Sequence, residues 1–316
     1  MKIVVTMPVT QEQKERIIAC APGADFAFGR EESLKDAEVI LGNVPPARLA
    51  ECEKLRFLQL NNAGSDEFKP GSLPEGAVMC NASGAYGLAI SEYMLAGLLT
   101  LMKRLDQYQD NKKAHLWQDR GHVRSVYGSS ALIVGFGDIG SEFGARLHAL
   151  GASVTGIRRR PSKGPDWLAS MHGIEDLDSL LPQMDIVACA LPGTASTRGL
   201  FGPAQFAAMK EGAYFINVGR GYCADTDALC AALTGGHLGG AVVDVTAPEP
   251  LPADHPLWDA PNLVLTPHVS GQYHLYVTFL RILDIACDNL RRYVSGQPLQ
   301  NVVNMGTGYR DDAPRR

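Results

Sequence analysis

The chain has 316 residues, 46% of them apolar and 20% charged, and a formal net charge of −5. That length suits about two domains, and the composition is that of a folded globular protein rather than a disordered or repetitive one. A net acidic chain excludes a broad basic surface for nucleic acid or anionic lipid.

In chain order, "KIVVTM" reads as a first strand and not as a secretory leader. Its apolar run is short and no small-residue cleavage site follows. "ADFAFG", "AEVILGN", "RFLQLNNAG" and "AVMCNA" continue as strands between polar, helix-like stretches, which indicates an open α/β unit. "AISEYMLAGLLTLMKRLDQYQ" predicts one long helix, apolar on most faces and suited to passing between two domains. It contains Ser91 and Glu92, and no apolar run approaches the roughly 20 residues a membrane helix needs. Glu92 is expected in a cap or a helix-side hydrogen bond. "NKKAHLWQDRGHVRSVYGSS" reads as a connecting arm, with Trp117 and Tyr127 embedded in it.

From Ala131 the strands become continuous apolar runs: "ALIVGFG", "SVTGI", "DIVACALP", "AYFINVG", "GAVVDV" and "LVLTPH". Helices such as "SEFGARLHALG" and "TDALCAAL" separate them. This pattern predicts a parallel sheet covered on both faces. A last helix, "HLYVTFLRILDIACDNLRRYVSG", precedes a coil tail. The cysteines at 20, 52, 80, 189, 223, 230 and 287 form no CxxC pair, so buried, reduced thiols in a cytoplasmic protein are expected. No metal site is expected.

"GFGDIG" places Gly135, Gly137 and Gly140 after a strand and at the opening of a helix. In that context the glycines read as a dinucleotide phosphate loop: a tight turn, a close backbone approach to pyrophosphate, and close helix–strand packing. The acidic ribose ligand belongs about 20 residues further on, at the end of the next strand. Arg158 stands there instead, followed by Arg159 and Arg160. A guanidinium attracts a 2′-phosphate and can bind it bidentately, where a carboxylate would repel it. The alternative, a solvated basic turn, leaves the missing acid unexplained. The expected cofactor is therefore NADP(H) in preference to NAD(H).

Polar residues follow three later strands: Arg220 in "FINVGRG", Asp244 and Glu249 in "VVDVTAPEPLP", and His268 in "TPHVSG". The carboxyl ends of an open parallel sheet face the ligand crevice. An arginine, a carboxylate and a histidine gathered there suit hydride transfer.

These motifs, in this order, resemble the D-isomer-specific 2-hydroxyacid dehydrogenase family, including glyoxylate/hydroxypyruvate reductase-like members. The likeness extends from "NNAGSDEF" and "NASGAYGLAISEYMLAGLL" to "NLRRYVSGQPLQNVVN". It implies an α/β fold of two Rossmann-like, doubly wound parallel-sheet domains with an interdomain cleft. A discontinuous substrate-binding domain would take residues 1–98 and 286–316, and a dinucleotide-binding domain residues 99–285. It also implies a homodimer, made through the nucleotide-binding domains and the arm.

Carried onto matching residues, the resemblance makes Arg220 the substrate-binding arginine, His268 the acid/base and Glu249 its partner. Asp244 would hold the nicotinamide carboxamide. Asp138, Ile139, Thr197 and Val218 join the cofactor contacts, and the backbone at Ala63 and Gly64 would grip the substrate carboxylate. The implied substrate is a small 2-keto or 2-hydroxy acid, with no nucleic-acid or membrane partner. His115, His148 and His237 are expected in structural or surface roles. Trp117 is left between dimer packing and a neighbouring cleft, and Tyr86 between substrate contact and wall. Two departures leave the chemistry untouched: the shortened "TAPEP" acid loop, and the missing "L-x-G-K" before the phosphate loop. A binding protein that senses a dinucleotide without turnover, as in corepressor-like relatives, is the alternative; the complete Arg220, Glu249 and His268 set argues against it. Formate dehydrogenase relatives carry glutamine where Glu249 stands and are set aside.

Overall fold

The structure is a computed structural model that describes residues 1–310. Residues 311–316, the end of the expected 286–316 segment, lie outside the described residues. Two compact units emerge: Met1–Tyr86 together with the segment from Tyr273 onward, and Gly87–Gln272. The divisions at Tyr86/Gly87 and Gln272/Tyr273 fall earlier than the expected 98/99 and 285/286. The expected limits would cut two long helices, each of which stays whole in one unit.

Unit 1 begins with β1 (Lys2–Val5), α1 (Gln11–Ile18), β2 (Asp25–Phe28), β3 (Val39–Leu41), α2 (Pro46–Leu49), β4 (Phe57–Gln59) and β5 (Val78–Cys80). Thr10 and Gln13 start α1 with a reciprocal capping box. The strands make a five-stranded parallel sheet in the order β2-β1-β3-β4-β5. Side chains alternate across it. Val4, Ile40, Leu58 and Met79 bury one face against Leu34, Leu49 and Phe68.

Unit 2 follows with α3 (Gly87–Met102), α4 (Leu105–Lys113), β6 (Ser130–Val134), α5 (Asp138–Ala149), β7 (Ser153–Ile157), β8 (Ser170–His172), α6 (Leu177–Leu180), β9 (Ile186–Cys189), α7 (Pro203–Ala208), β10 (Tyr214–Asn217), α8 (Thr226–Thr234), β11 (Gly240–Val243) and β12 (Leu263–Leu265). The seven-stranded sheet runs β12-β11-β10-β9-β6-β7-β8, every pair parallel. The strand order reverses between β6 and β9, which is where open α/β sheets bind ligands. One face buries Leu132, Val134, Val187, Phe215 and Val243 against Leu177, Phe206 and Leu229. α3 and α5 pack together on the other face, and α3 reaches β10, β11 and β12.

The expected single helix through Gln109 is broken. Arg104 takes a left-handed φ of 54°, and its guanidinium donates to the Arg120 carbonyl in the arm. The helical ladder restarts at Tyr108 N to Arg104 O. A distant tie has overridden local helix propensity. The arm itself carries an exposed Trp117.

The chain returns to unit 1 as α9 (Tyr276–Val294), β13 (Val303–Asn304) and β14 (Tyr309–Arg310). The expected coil tail is thus partly a hairpin. It is tied in by Asn81 N to Asn301 O and by Ser65 Oγ to Gly308 O. Those pairings are far apart in sequence and have no local signature. α9 covers the second face of the unit 1 sheet, stacking Tyr293 on Phe57. Asn289, fully buried, donates to Gln59 Oε1 at 2.7 Å and to Gln300 O at 3.0 Å. All seven cysteines are free and buried. Among the described residues no helix is long and apolar enough to cross a membrane.

Leaving a buried acceptor unpaired costs about 1–3 kcal/mol. Asn289→Ala strands Gln59 and is expected to lose about 2–4 kcal/mol with its cavity included. Urea unfolding against the parent protein checks this.

Candidate active site

The phosphate loop is tied to the strand that leads into the arginines. Gly135 N and Phe136 N both donate to Ile157 O, at 3.1 and 2.9 Å. Gly135 takes a φ of 102°, which side-chain-bearing residues rarely adopt. A Cβ on Gly140 would lie 2.3 Å from Gly135 O, whereas one on Gly137 would meet nothing within 4 Å. Open space at Gly137 and the N-terminal end of α5 fit a pyrophosphate. Asp138 and Ile139 sit in that first turn. The Asp138 carboxylate is turned away to accept from Gly87 N at 2.9 Å, so its backbone is what it can offer a phosphate.

Arg158 follows β7 directly. Its N–H bonds His172 O at 3.0 Å, and its Nη1 lies 3.3 Å from Ser162 Oγ on an exposed turn. Arg159 and Arg160 are exposed. After β9, the Thr197 hydroxyl bonds Pro192 O at 2.8 Å and Thr194 O at 3.1 Å within its loop. Val218 is buried just past β10 and donates its N–H to Cys189 O.

The register Asn217↔Val243↔Leu265 aligns the ends of β10, β11 and β12. Arg220, Asp244 and His268 therefore follow adjacent strands, which run about 4.8 Å apart. Arg220 is part-buried; its Nη1 donates to Gly219 O at 2.8 Å, and its own carbonyl accepts from Asn217 Nδ2. His268 Nδ1 meets Glu249 Oε1 at 2.7 Å. Glu249 lies between two cis prolyl bonds. Thr226 Oγ1 fastens its loop by bonding both the carbonyl and the N–H of Ala247. Ala63 and Gly64 belong to unit 1, in the loop after β4, where Ala63 O accepts from Asn81 Nδ2 at 2.7 Å.

The Asp244 side chain is engaged within the protein. Its carboxylate is buried and accepts from Thr266 Oγ1, Val269 N, Ser270 N and Ser270 Oγ. A carboxylate offers about four acceptor sites, and here all are taken. The side chain shapes the His268 turn. Thr266 also bonds the Tyr93 hydroxyl at 2.6 Å, and burial pushes that hydroxyl up to about 12. Thr266, Ser270 and Tyr93 escaped the sequence reading, although the first two flank His268 within "TPHVSG". The Cys223 thiol, next to Arg220, is held well below its usual value, first by a hydrogen bond from Cys189. Glu92 is exposed and lies 4.0 Å from Arg146, a loose ion pair between helices.

A parallel sheet with a glycine loop at its switch point and polar residues on neighbouring strand ends is the layout of a dinucleotide-dependent dehydrogenase domain. Residues 95–270 match the model of the D-isomer specific 2-hydroxyacid dehydrogenase NAD binding domain. Glyoxylate/hydroxypyruvate reductase B of Pectobacterium atrosepticum is 34% identical over 285 residues, covering 86% of this chain and 87% of its own. A D-isomer specific 2-hydroxyacid dehydrogenase family protein from Aeromonas salmonicida superimposes with a TM-score of 0.84 at 30% identity, over 96% of this chain and 99% of that one. A D-isomer specific 2-hydroxyacid dehydrogenase from Xanthobacter autotrophicus Py2, in complex with NADPH and MES, gives 0.83 at 27% identity, over 98% and 99%. The chain belongs to the D-isomer specific 2-hydroxyacid dehydrogenase family.

Asp244→Asn puts amide hydrogens against N–H and O–H donors. It is expected to cost about 2–6 kcal/mol, from two unpaired groups at about 1–3 kcal/mol each. The thermal transition of the purified variant measures the loss.

Proposed function

We propose that the protein is an NADPH-preferring reductase that converts small 2-keto acids to D-2-hydroxy acids. The observation that carries this reading is the 2.7 Å His268–Glu249 pair, set beside strand ends that hold Arg220 and Asp244. Nδ1 faces Glu249, so Nε2 is the ring atom left for substrate. His268 delivers its proton from Nε2 to the carbonyl oxygen and takes it back in the reverse direction. Glu249 fixes the ring and determines which nitrogen is presented. Arg220 binds the substrate carboxylate and carbonyl with its planar fork, a task that lysine performs poorly. In unit 1 the backbone at Ala63 and Gly64 takes the carboxylate. A reduced nicotinamide dinucleotide held along Gly135–Gly140 supplies the hydride. Thr197 and Val218 line that cofactor's path, and Asp244 holds the His268 turn.

NADPH preference rests on Arg158, with Arg159 second. Arg158 leaves the same strand end, Ile157, to which the phosphate loop is bonded. The NADPH in the Xanthobacter structure supports the same choice. The reading extends to a cytoplasmic homodimer joined through the arm, where Leu116 and Trp117 stand exposed.

Charge-assisted hydrogen bonds contribute about 1.5–3 kcal/mol, so kcat/KM should favour NADPH over NADH by about 10- to 100-fold. Arg158→Asp should reverse or abolish that ratio; equal use of both cofactors by the parent protein refutes the assignment. With glyoxylate or hydroxypyruvate, His268→Ala should lower kcat by about 10²- to 10⁴-fold and leave NADPH binding intact by fluorescence titration. Full activity in that variant removes His268 as the acid.

A further inference from the structure

Helix α3 touches the His268 turn through Tyr93, a side chain that the proposed reaction does not use. The Tyr93 hydroxyl lies 2.6 Å from Thr266 Oγ1, and Thr266 in turn bonds Asp244 Oδ1. The direction of these bonds follows from the hydrogens available. A carboxylate only accepts, and a threonine hydroxyl has one hydrogen. Thr266 spends that hydrogen on Asp244, so Tyr93 must donate to Thr266. Burial pushes the phenol up to about 12, so its hydrogen stays in place at neutral pH.

Close packing one helical turn away fixes the reach of Tyr93. Tyr93 and Gly97 share a face of α3. A Cβ on Gly97 would lie 2.7 Å from Val242 Cγ1 in β11, so glycine lets the helix sit this near the sheet. Val242 stands two residues before Asp244. Tyr93, about 6 Å along the helix axis from Gly97, falls at the carboxyl ends of β11 and β12, where Thr266 follows Leu265. At the start of α3, Gly87 N donates to the Asp138 carboxylate at 2.9 Å. The helix is thus pinned on both sides of Tyr93.

We propose that Tyr93 is a positioning residue for proton transfer, acting through Thr266 and Asp244 on the backbone that carries His268. The inference rests on the reductase reading, in which His268 is the acid. Thr266 is half-buried; without a donor on its oxygen, its hydroxyl is free to turn to water. Asp244 then loses one of the donors that fill its acceptor sites. His268 keeps a left-handed φ of 53°, a conformation that lasts only while its surroundings over-determine it. Loosening the Thr266 side of the turn lets the ring drift, and small misplacements of a reacting group are costly in rate. A phenylalanine at 93 would fill the same space, so the task belongs to the hydroxyl.

The test is Tyr93→Phe in the full chain, read in two ways. With glyoxylate and NADPH, kcat should fall about 3- to 10-fold, the scale of one neutral hydrogen bond. KM, and NADPH binding by fluorescence titration, should stay near the parent values. Hydrogen–deuterium exchange should rise in peptides covering residues 263–272 and nowhere else. Thr266→Val should show both effects at least as strongly. The double variant should be no worse than Thr266→Val alone, because Tyr93 acts through that hydroxyl. Thr266→Ser, which keeps the hydroxyl, should retain most of the parent kcat. Parent-like kcat and exchange in Tyr93→Phe overturn the inference. So do additive losses in the double variant, or a rise in exchange spread over the whole chain, which would make Tyr93 a packing residue only. If the parent protein reduces no keto acid, the reductase reading falls by itself. Exchange at 263–272 then decides whether Tyr93 holds the turn, an unchanged pattern overturning it.

Discussion

The Asp244 carboxylate holds the chemistry-bearing end of unit 2 together. It is buried at the end of β11 and accepts bonds from Thr266, Val269 and Ser270, which bracket His268 on both sides. The Asp244 carbonyl takes His268 N as well, at 2.8 Å. A buried carboxylate is costly unless its acceptor capacity is filled, so the segment from Thr266 to Ser270 has little freedom to rearrange. The left-handed backbone of His268, at a φ of 53°, persists because these bonds over-determine it. Histidine is among the residues that tolerate that region.

A similar economy operates at the switch point. Ile157 O accepts two N–H groups of the phosphate loop, and the next residue is Arg158. The turn that would cradle a pyrophosphate and the residue that would read its ribose are thus fixed by one carbonyl. The charge at position 158 can change without disturbing the turn, because only the backbone of β7 is committed. This is how a fold can retain its dinucleotide site and alter its choice between two cofactors.

Much of this was legible in the sequence, and the physical reason differs from element to element. Continuous apolar strands and a glycine loop are local patterns, so the parallel sheet of unit 2 and the place of Gly135, Gly137 and Gly140 could be read directly. His268 and Glu249 could be named from their motifs, but their 2.7 Å approach joins two loops and needed the fold. The break at Arg104 and the hairpin after Asn301 depend on partners far along the chain, and periodicity carries no trace of them. Asp244 could be placed at a strand end from its motif, but the four donors gathered on its carboxylate come from a turn more than twenty residues away and needed the fold.

The division of rigidity within the His268 turn bears on what the residue can do. Its backbone is clamped, yet its side chain is 45% exposed and that of Glu249 is 42% exposed. An exposed side-chain contact is a weak source of stability, so the His268–Glu249 contact is not what keeps the turn in shape; Asp244 already does that. The contact is free to serve a different end. It holds one ring nitrogen and leaves the other open, at a point where the backbone cannot drift. Orientation without structural duty is what the proton transfer proposed for His268 requires, since such a group must change its bonding in each turnover without unsettling the strand end that carries it.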